Sequence, residues 1–230
     1  MLETPEFSKQ FHLEQNYYLK QLDFLNWYRY FFIIKEVTDL MPKDVLEIGT
    51  GSGFVKNCLQ PLVRKYVVLD INPKLKPDLV GDVRAYQGGL ENNFDCVIIA
   101  DVLEHLPFDD VEQSLKHICS YLKEEGKLLV TIPHRRSHFL LMTPLQVDPW
   151  VFTVPSGFLS FGAFYRRFIK RKIWIDPDHC WEIGDGTVKN VNVDRLFKKS
   201  GFTIERFKKL LYVDFWVLKK EAVVNEKLIY

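Results

Sequence analysis

The residues whose types and spacing could do chemistry begin at Glu47-Ile48-Gly49-Thr50-Gly51-Ser52-Gly53 and continue at two separated acids, Asp70 and Asp82. Glycines at alternate positions let the backbone turn tightly and come close to a ligand where a Cβ would clash. A dinucleotide fingerprint needs its third glycine one residue later, where Phe54 stands, and a phosphate-binding loop would end in Gly-Lys-Ser/Thr, which is missing. Asp70 closes the next apolar run, where a carboxylate can accept two hydrogen bonds from vicinal ribose hydroxyls. Asp82 lies further along the same edge, where an adenine amino group would need an acceptor. The spacing fits an adenosine along one sheet edge, although each acid could also simply open a turn.

The elements that must position these groups alternate. Apolar runs at 45–48, 66–70, 79–83, 94–100 and 127–133 read as strands, and 54–65 and 109–122 read as helices, the latter with Val111, Leu115, Ile118, Cys119 and Leu122 on one face. Alternation of this kind predicts a parallel sheet with helices on both faces, which binds ligands at the carboxyl ends of its strands. The rhythm stops at Pro133. Residues 134–178 carry prolines at 144, 149, 155 and 177, many aromatics and a basic cluster at 166–172, and read as an inserted cap. A helix at 193–199 and strands at 202–207 and 211–218 then predict an antiparallel hairpin. Upstream, 6–40 has helical period and ends before Pro42, as one long or two short helices that pack on the sheet edge, cover the pocket, or do both.

The chain resembles the class I S-adenosylmethionine-dependent methyltransferases. The resemblance rests on Val45-Leu46-Glu47-Ile48-Gly49-Thr50-Gly51-Ser52-Gly53, Val67-Val68-Leu69-Asp70, Gly81-Asp82-Val83 and the stretch from Phe94 through Asp101-Val102-Leu103-Glu104-His105-Leu106, with Phe197-Lys198-Lys199-Ser200-Gly201-Phe202 before the terminal hairpin. The Glu-His-Leu step is closest to the small-molecule branch. This implies an α/β fold, a doubly wound Rossmann-like sheet of seven mostly parallel strands, within a single domain made of N-terminal helices (1–42), a cofactor-binding core (43–133), the cap (134–178) and a C-terminal helix and hairpin (179–230). It implies S-adenosylmethionine as cofactor and S-adenosylhomocysteine as product. Gly49, Gly51 and Gly53 would line its methionine and ribose, Asp70 would hold the ribose hydroxyls, Asp82 would meet the adenine, and Asp101 would sit near the methyl group and the amine. Glu47 would brace the turn or reach the amine through water.

A sulfonium is already an activated methyl donor, so the protein must mainly hold an acceptor in line at roughly 3 Å and exclude water. A general base is optional; the candidates are His134, which follows the fifth strand, His105, and His179, which lies beside Trp181 and can project back toward the pocket. Structural roles compete for each, and Glu104 and His105 are expected to cap and pack the following helix. Asp101-Val102-Leu103-Glu104 stands where adenine-N6 enzymes carry Asn-Pro-Pro-aromatic, which favours an oxygen acceptor, small or lipid-like. The aromatic and basic cap suits an anionic or amphiphilic acceptor or an anionic membrane surface, or is a solvated face. RNA or protein methylation, and a cofactor-binding partner subunit without turnover, are the other readings.

Composition sets outer bounds. Net charge is +1, without the electrostatic footprint of a dedicated DNA-binding protein. Cys58, Cys96, Cys119 and Cys180 form no Cys-x-x-Cys pair and neighbour no histidine ladder, so reduced thiols, no metal and a cytoplasmic or membrane-peripheral location are expected. Residues 1–10 hold acids and no apolar core of a signal peptide.

Overall fold

A strand buried on both faces must be covered on each, and the chain arranges this around β1 (Asp44–Ile48), all of whose residues are buried, Asp44 and Glu47 included. In the computed structural model the residues described are 12–141, 150–155, 161–170 and 173–222. The other strands in chain order are β2 (Lys65–Asp70), β3 (Leu79–Val80), β4 (Phe94–Ala100), β5 (Leu122–Pro133), β6 (Arg136–Leu141), β7 (Trp150–Pro155), β8 (Phe202–Lys209) and β9 (Val213–Lys220). The helices are α1 (Gln15–Lys20), α2 (Phe24–Leu40), α3 (Phe54–Leu59), α4 (Phe108–Tyr121), α5 (Phe161–Phe164) and α6 (Asn190–Lys199).

The main sheet has seven strands in the order β3-β2-β1-β4-β5-β9-β8, parallel as far as β5 and antiparallel beyond it. Alternate residues feed opposite cores: Leu46, Ile48, Val97 and Ile99 face one cluster with α4 and α6, while Val45, Cys96 and Ile98 face another with α2 and α3. The winding reverses between β1 and β4, so a crevice opens beyond Ile48 and Ala100. This is the doubly wound sheet with terminal hairpin that the sequence implies.

Several boundaries differ, each for a local reason. The helix after the glycine turn ends at Leu59, because Pro61 enters a 3₁₀ turn at Gln60–Leu62. β3 has only two residues and is an exposed edge. β5 starts at Leu122, not beyond Gly126, since Glu125 at φ 63° allows a register shift opposite Phe94 and Cys96. The N-terminal region is broken into two helices at Asp23, whose side chain accepts from the Asn26 amide at 2.8 Å. The first residues of that expected helix, and the 1–10 stretch read for a signal peptide, lie outside the described residues.

Beyond Pro133, β6 and β7 form a separate antiparallel ribbon that pairs Phe139 with Phe152 and Leu141 with Trp150. All four of these side chains are exposed, as are Phe161, Ile169 and Trp174. Arg171 and Lys172 of the basic cluster lie outside the described residues. No helix among the described residues is long and apolar enough to cross a membrane.

Candidate active site

The glycine turn is built as its sequence demands. Gly49, Gly51 and Gly53 have φ of 80°, 47° and 69°, the left-handed region in which other residues are strained. A Cβ on Gly49 would strike the Val102 side chain, and one on Gly53 would strike Gln15. Asp70 ties this turn to the neighbouring strand: one carboxylate oxygen accepts from the Thr50 amide and the other from the Asn72 amide, both at 2.8 Å. Burial raises its pKa, and the amides of Asn72, Thr50 and Ile71 oppose that rise. A carboxylate has about four acceptor sites, so these amides leave Asp70 capacity for a ligand hydroxyl. Glu47 lies behind the turn, buried, accepting from the Tyr66 hydroxyl at 3.0 Å. Burial pushes its pKa up to about 8, so it holds its proton at neutral pH.

Of the residues singled out in the sequence, Glu47, Gly49, Gly51, Asp70, Asp82, Asp101, His105 and His179 all line one cavity of about 340 Å³, and Gly53 and His134 do not. Gly53 instead begins α3 in the left-handed conformation. His134 is buried: its amide donates to the Tyr212 carbonyl at 2.9 Å, it bridges to Ile183, and its ring accepts from the Arg136 amide at 3.3 Å. His134 therefore does not line the cavity, because pairing beyond the strand end buries it against Ile183. Asp82 reaches the cavity but is also forked by Arg84, with a guanidinium nitrogen at 2.6 Å and the Arg84 amide at 2.9 Å.

Asp101 follows β4 at φ 53°, a left-handed conformation that Asp tolerates when its side chain is fixed. It is fixed from three elements. Thr131 in β5 donates at 2.6 Å, the Tyr212 hydroxyl donates at 3.0 Å, and Arg29 in α2 forms an ion pair with it. Burial works to lower the Arg29 pKa, but Asp101, Tyr212 and Tyr30 more than reverse this, and the guanidinium stays charged. It also lies 4.8 Å from the Tyr30 ring centroid. Arg29 escaped the sequence reading, although a lone arginine inside Tyr28-Arg29-Tyr30-Phe31-Phe32 marks a cation on a burying face. Gln15 was missed as well; it donates to the Ser52 carbonyl at 2.8 Å and so ties α1 to the glycine turn.

Glu104 and His105 do not cap α4, whose N-cap is Pro107; they form a 3₁₀ turn that ends at His105. The His105 Nδ1 lies 2.8 Å from the Asp178 carbonyl, and burial lowers the pKa of the ring, keeping it neutral near pH 7. His179 places its ring centroid 4.8 Å from that of His105 at 77°. The cavity thus has a glycine turn, an anchored acid beyond each of β1's neighbours, and two adjacent imidazoles in its lining.

A family model described as a methyltransferase domain matches residues 24–206. No curated protein sequence matches the chain. Among solved structures, the N-methyltransferase NodS from Bradyrhizobium japonicum WM9, in complex with S-adenosyl-L-homocysteine, superposes with a TM-score of 0.62 at 12% identity, covering 94% of this chain and 96% of that one. An S-adenosylmethionine-dependent methyltransferase from Clostridium acetobutylicum ATCC 824 gives a TM-score of 0.56 at 13% identity, covering 94% and 99%. The 1,6-didemethyltoxoflavin-N1-methyltransferase of Burkholderia thailandensis, with that compound and S-adenosylhomocysteine bound, gives 0.55 at 12% identity, covering 96% and 92%. At such identities the likeness is one of fold.

Proposed function

The chain belongs to the methyltransferase-domain family, and from that premise we propose that it transfers the methyl group of S-adenosylmethionine to an oxygen of a small-molecule or lipid-like acceptor. The observation that carries this reading is the convergence of Glu47, Gly49, Gly51, Asp70, Asp82 and Asp101 on one cavity from separate strand ends. The residues fit the cofactor: the glycines hold a tight turn that other residues would strain, Asp70 keeps acceptor capacity, and about 340 Å³ is within the range of small-molecule sites. When bound, S-adenosylmethionine supplies an activated methyl group on a sulfonium sulfur and is left as S-adenosylhomocysteine.

The protein's own part is binding, orientation and exclusion of water. Asp70 would hold the ribose hydroxyls, Asp82 with Arg84 the adenine edge, and Asp101, fixed by Arg29, the amine side. Tyr17, Tyr18 and Tyr30 from α1 and α2 line the cavity and wall it from solvent. His105 and His179, and not His134, line the cavity where an acceptor would be activated. An oxygen acceptor is supported by Asp101-Val102-Leu103-Glu104 in place of an Asn-Pro-Pro-aromatic loop. Residues 134–178 act as the cap on the 43–133 core, and the exposed pairs Phe139–Phe152 and Leu141–Trp150 dock it on an anionic membrane surface.

Calorimetry tests the cofactor. S-adenosylmethionine should bind the full chain with a Kd that rises at least ~10-fold in Asp70→Ala, the loss of one or two charge-assisted hydrogen bonds. A wild-type chain that takes up no cofactor would remove the assignment.

A further inference from the structure

Glu104 is fully buried, and neither of its carboxylate oxygens has a hydrogen-bond partner among the described residues. Burial of an unpartnered carboxyl is expensive, and native chains seldom retain one without a use. Its neighbours suggest what that use is. One carboxylate oxygen of Glu104 and one ring nitrogen from each of His105 and His179 lie within 4.8 Å of one another. We propose that Glu104, His105 and His179 form a binding site for a divalent transition cation, of the Zn²⁺ or Mn²⁺ class, at the mouth of the methyl-transfer cavity.

Three features support a cation rather than a chance cluster. The donor set, one carboxylate and two imidazoles, is one that suits such ions and leaves a coordination position open. Both imidazoles are oriented from behind: the Asp178 carbonyl lies 2.8 Å from the His105 Nδ1, and Glu182 lies 2.7 Å from the His179 Nδ1. A proton on each Nδ1 puts the lone pair on Nε2, the arrangement in which carbonyl and carboxylate groups orient metal-binding histidines. The orienting groups are themselves fixed, since Glu182 is fully buried and also pairs with Arg135. The neighbouring Cys180 is exposed and stands outside the cluster.

His105 and His179 line the cavity, so a cation held there borders the space for the acceptor. Its role, to bind an acceptor oxygen and lower the pKa of its hydroxyl, rests on the methyl-transfer reading; the site itself does not. The sequence alone hid the cluster because His179 returns from beyond the cap.

The test titrates chelator-stripped full-length chain with ZnCl₂ and, separately, MnCl₂ by calorimetry, with S-adenosylmethionine binding measured on the same samples. One saturable equivalent is expected, weakened at least ~10-fold in Glu104→Gln and in His179→Ala and unchanged in Cys180→Ser. Co²⁺ added to the wild-type chain should give visible d–d bands without a thiolate charge-transfer band, a readout that does not depend on any variant folding. No saturable metal binding, or equal affinity in the Glu104 and His179 variants, would overturn the site while intact cofactor binding left the methyltransferase assignment standing. Metal uptake by a chain that ignores the cofactor would separate the two in the other direction.

Discussion

Glu47 offers a test of the architecture that needs no acceptor. Its carboxyl is buried beside the glycine turn, and its pKa moves from the ordinary 4.5 to about 8. Below pH 4.5 both the folded and the unfolded chain hold the proton, and nothing is lost. As pH rises through 4.5 the unfolded chain releases it while the fold retains it until about pH 8, so stability falls across that window and levels off above it. That rise corresponds to about 5 kcal/mol in full, of which roughly 3 kcal/mol accrues between pH 5 and pH 8. Glu47→Gln keeps an acceptor for the Tyr66 hydroxyl and cannot ionise. Urea unfolding of both chains from pH 4.5 to 9 should therefore show a stability difference that grows with pH in favour of the glutamine variant by about 4 kcal/mol. A constant difference over that range would mean that Glu47 is ionised in the fold, and the account of a protonated acid behind the glycine turn would be wrong.

Arg29→Met should destabilise the chain by about 3 kcal/mol, because it strands Asp101 beside Thr131 and Tyr212 without its cation; adding Asp101→Asn should recover part of this loss in the same unfolding assay. His105→Ala should lower kcat by about 100-fold with little change in cofactor Kd, whereas His134→Ala should lower Tm and leave kcat within about twofold once folded protein is counted. A kcat loss confined to His134→Ala would return that residue to the mechanism. Phe152→Asp should abolish co-sedimentation with vesicles of anionic lipid, and wild-type chain that ignores such vesicles at low salt would leave the cap with a role in the pocket alone.

Local order was legible where one residue type admits one use. The glycines of the turn could be read because alternate glycines between an apolar run and a helix have few other purposes, and all three adopt positive φ. Asp70 and Asp101 could be read because a strand's end fixes which sheet edge its next residue occupies. His134 satisfied the same rule and yet does not line the cavity: after Pro133 the chain pairs with Ile183, a contact between distant segments that buries the residue. Arg29 failed for the opposite reason. A helix can be recognised from its period, but which side chain it brings to Asp101, 72 positions away, depends on how α2 lies across the sheet. The Glu104, His105 and His179 cluster joins segments on either side of the cap, and no spacing rule spans such a gap.

These contacts also change what the cavity's charge means. Its lining counts Glu47, Asp70, Asp82, Asp101, Asp176 and Asp178 against Arg29, which by sequence alone is a strongly acidic pocket. Glu47, however, keeps its proton, Asp101 is matched by Arg29 and Asp82 by Arg84. Among the described residues, the other lining acids, Asp70, Asp176 and Asp178, make no ion pair, and they come from β2 and from the end of the cap. S-adenosylmethionine carries one positive charge more than the product it leaves. A carboxylate about 8 Å from that charge at an effective dielectric of about 20 contributes roughly 2 kcal/mol, enough to favour cofactor over product and too little to prevent product leaving. A pocket with all six acids ionised would hold any cation and discriminate poorly. Neutralising three of them leaves the unpaired carboxylates on β2 and at the end of the cap, which on the proposed reading are the ribose side and the acceptor side of the cavity.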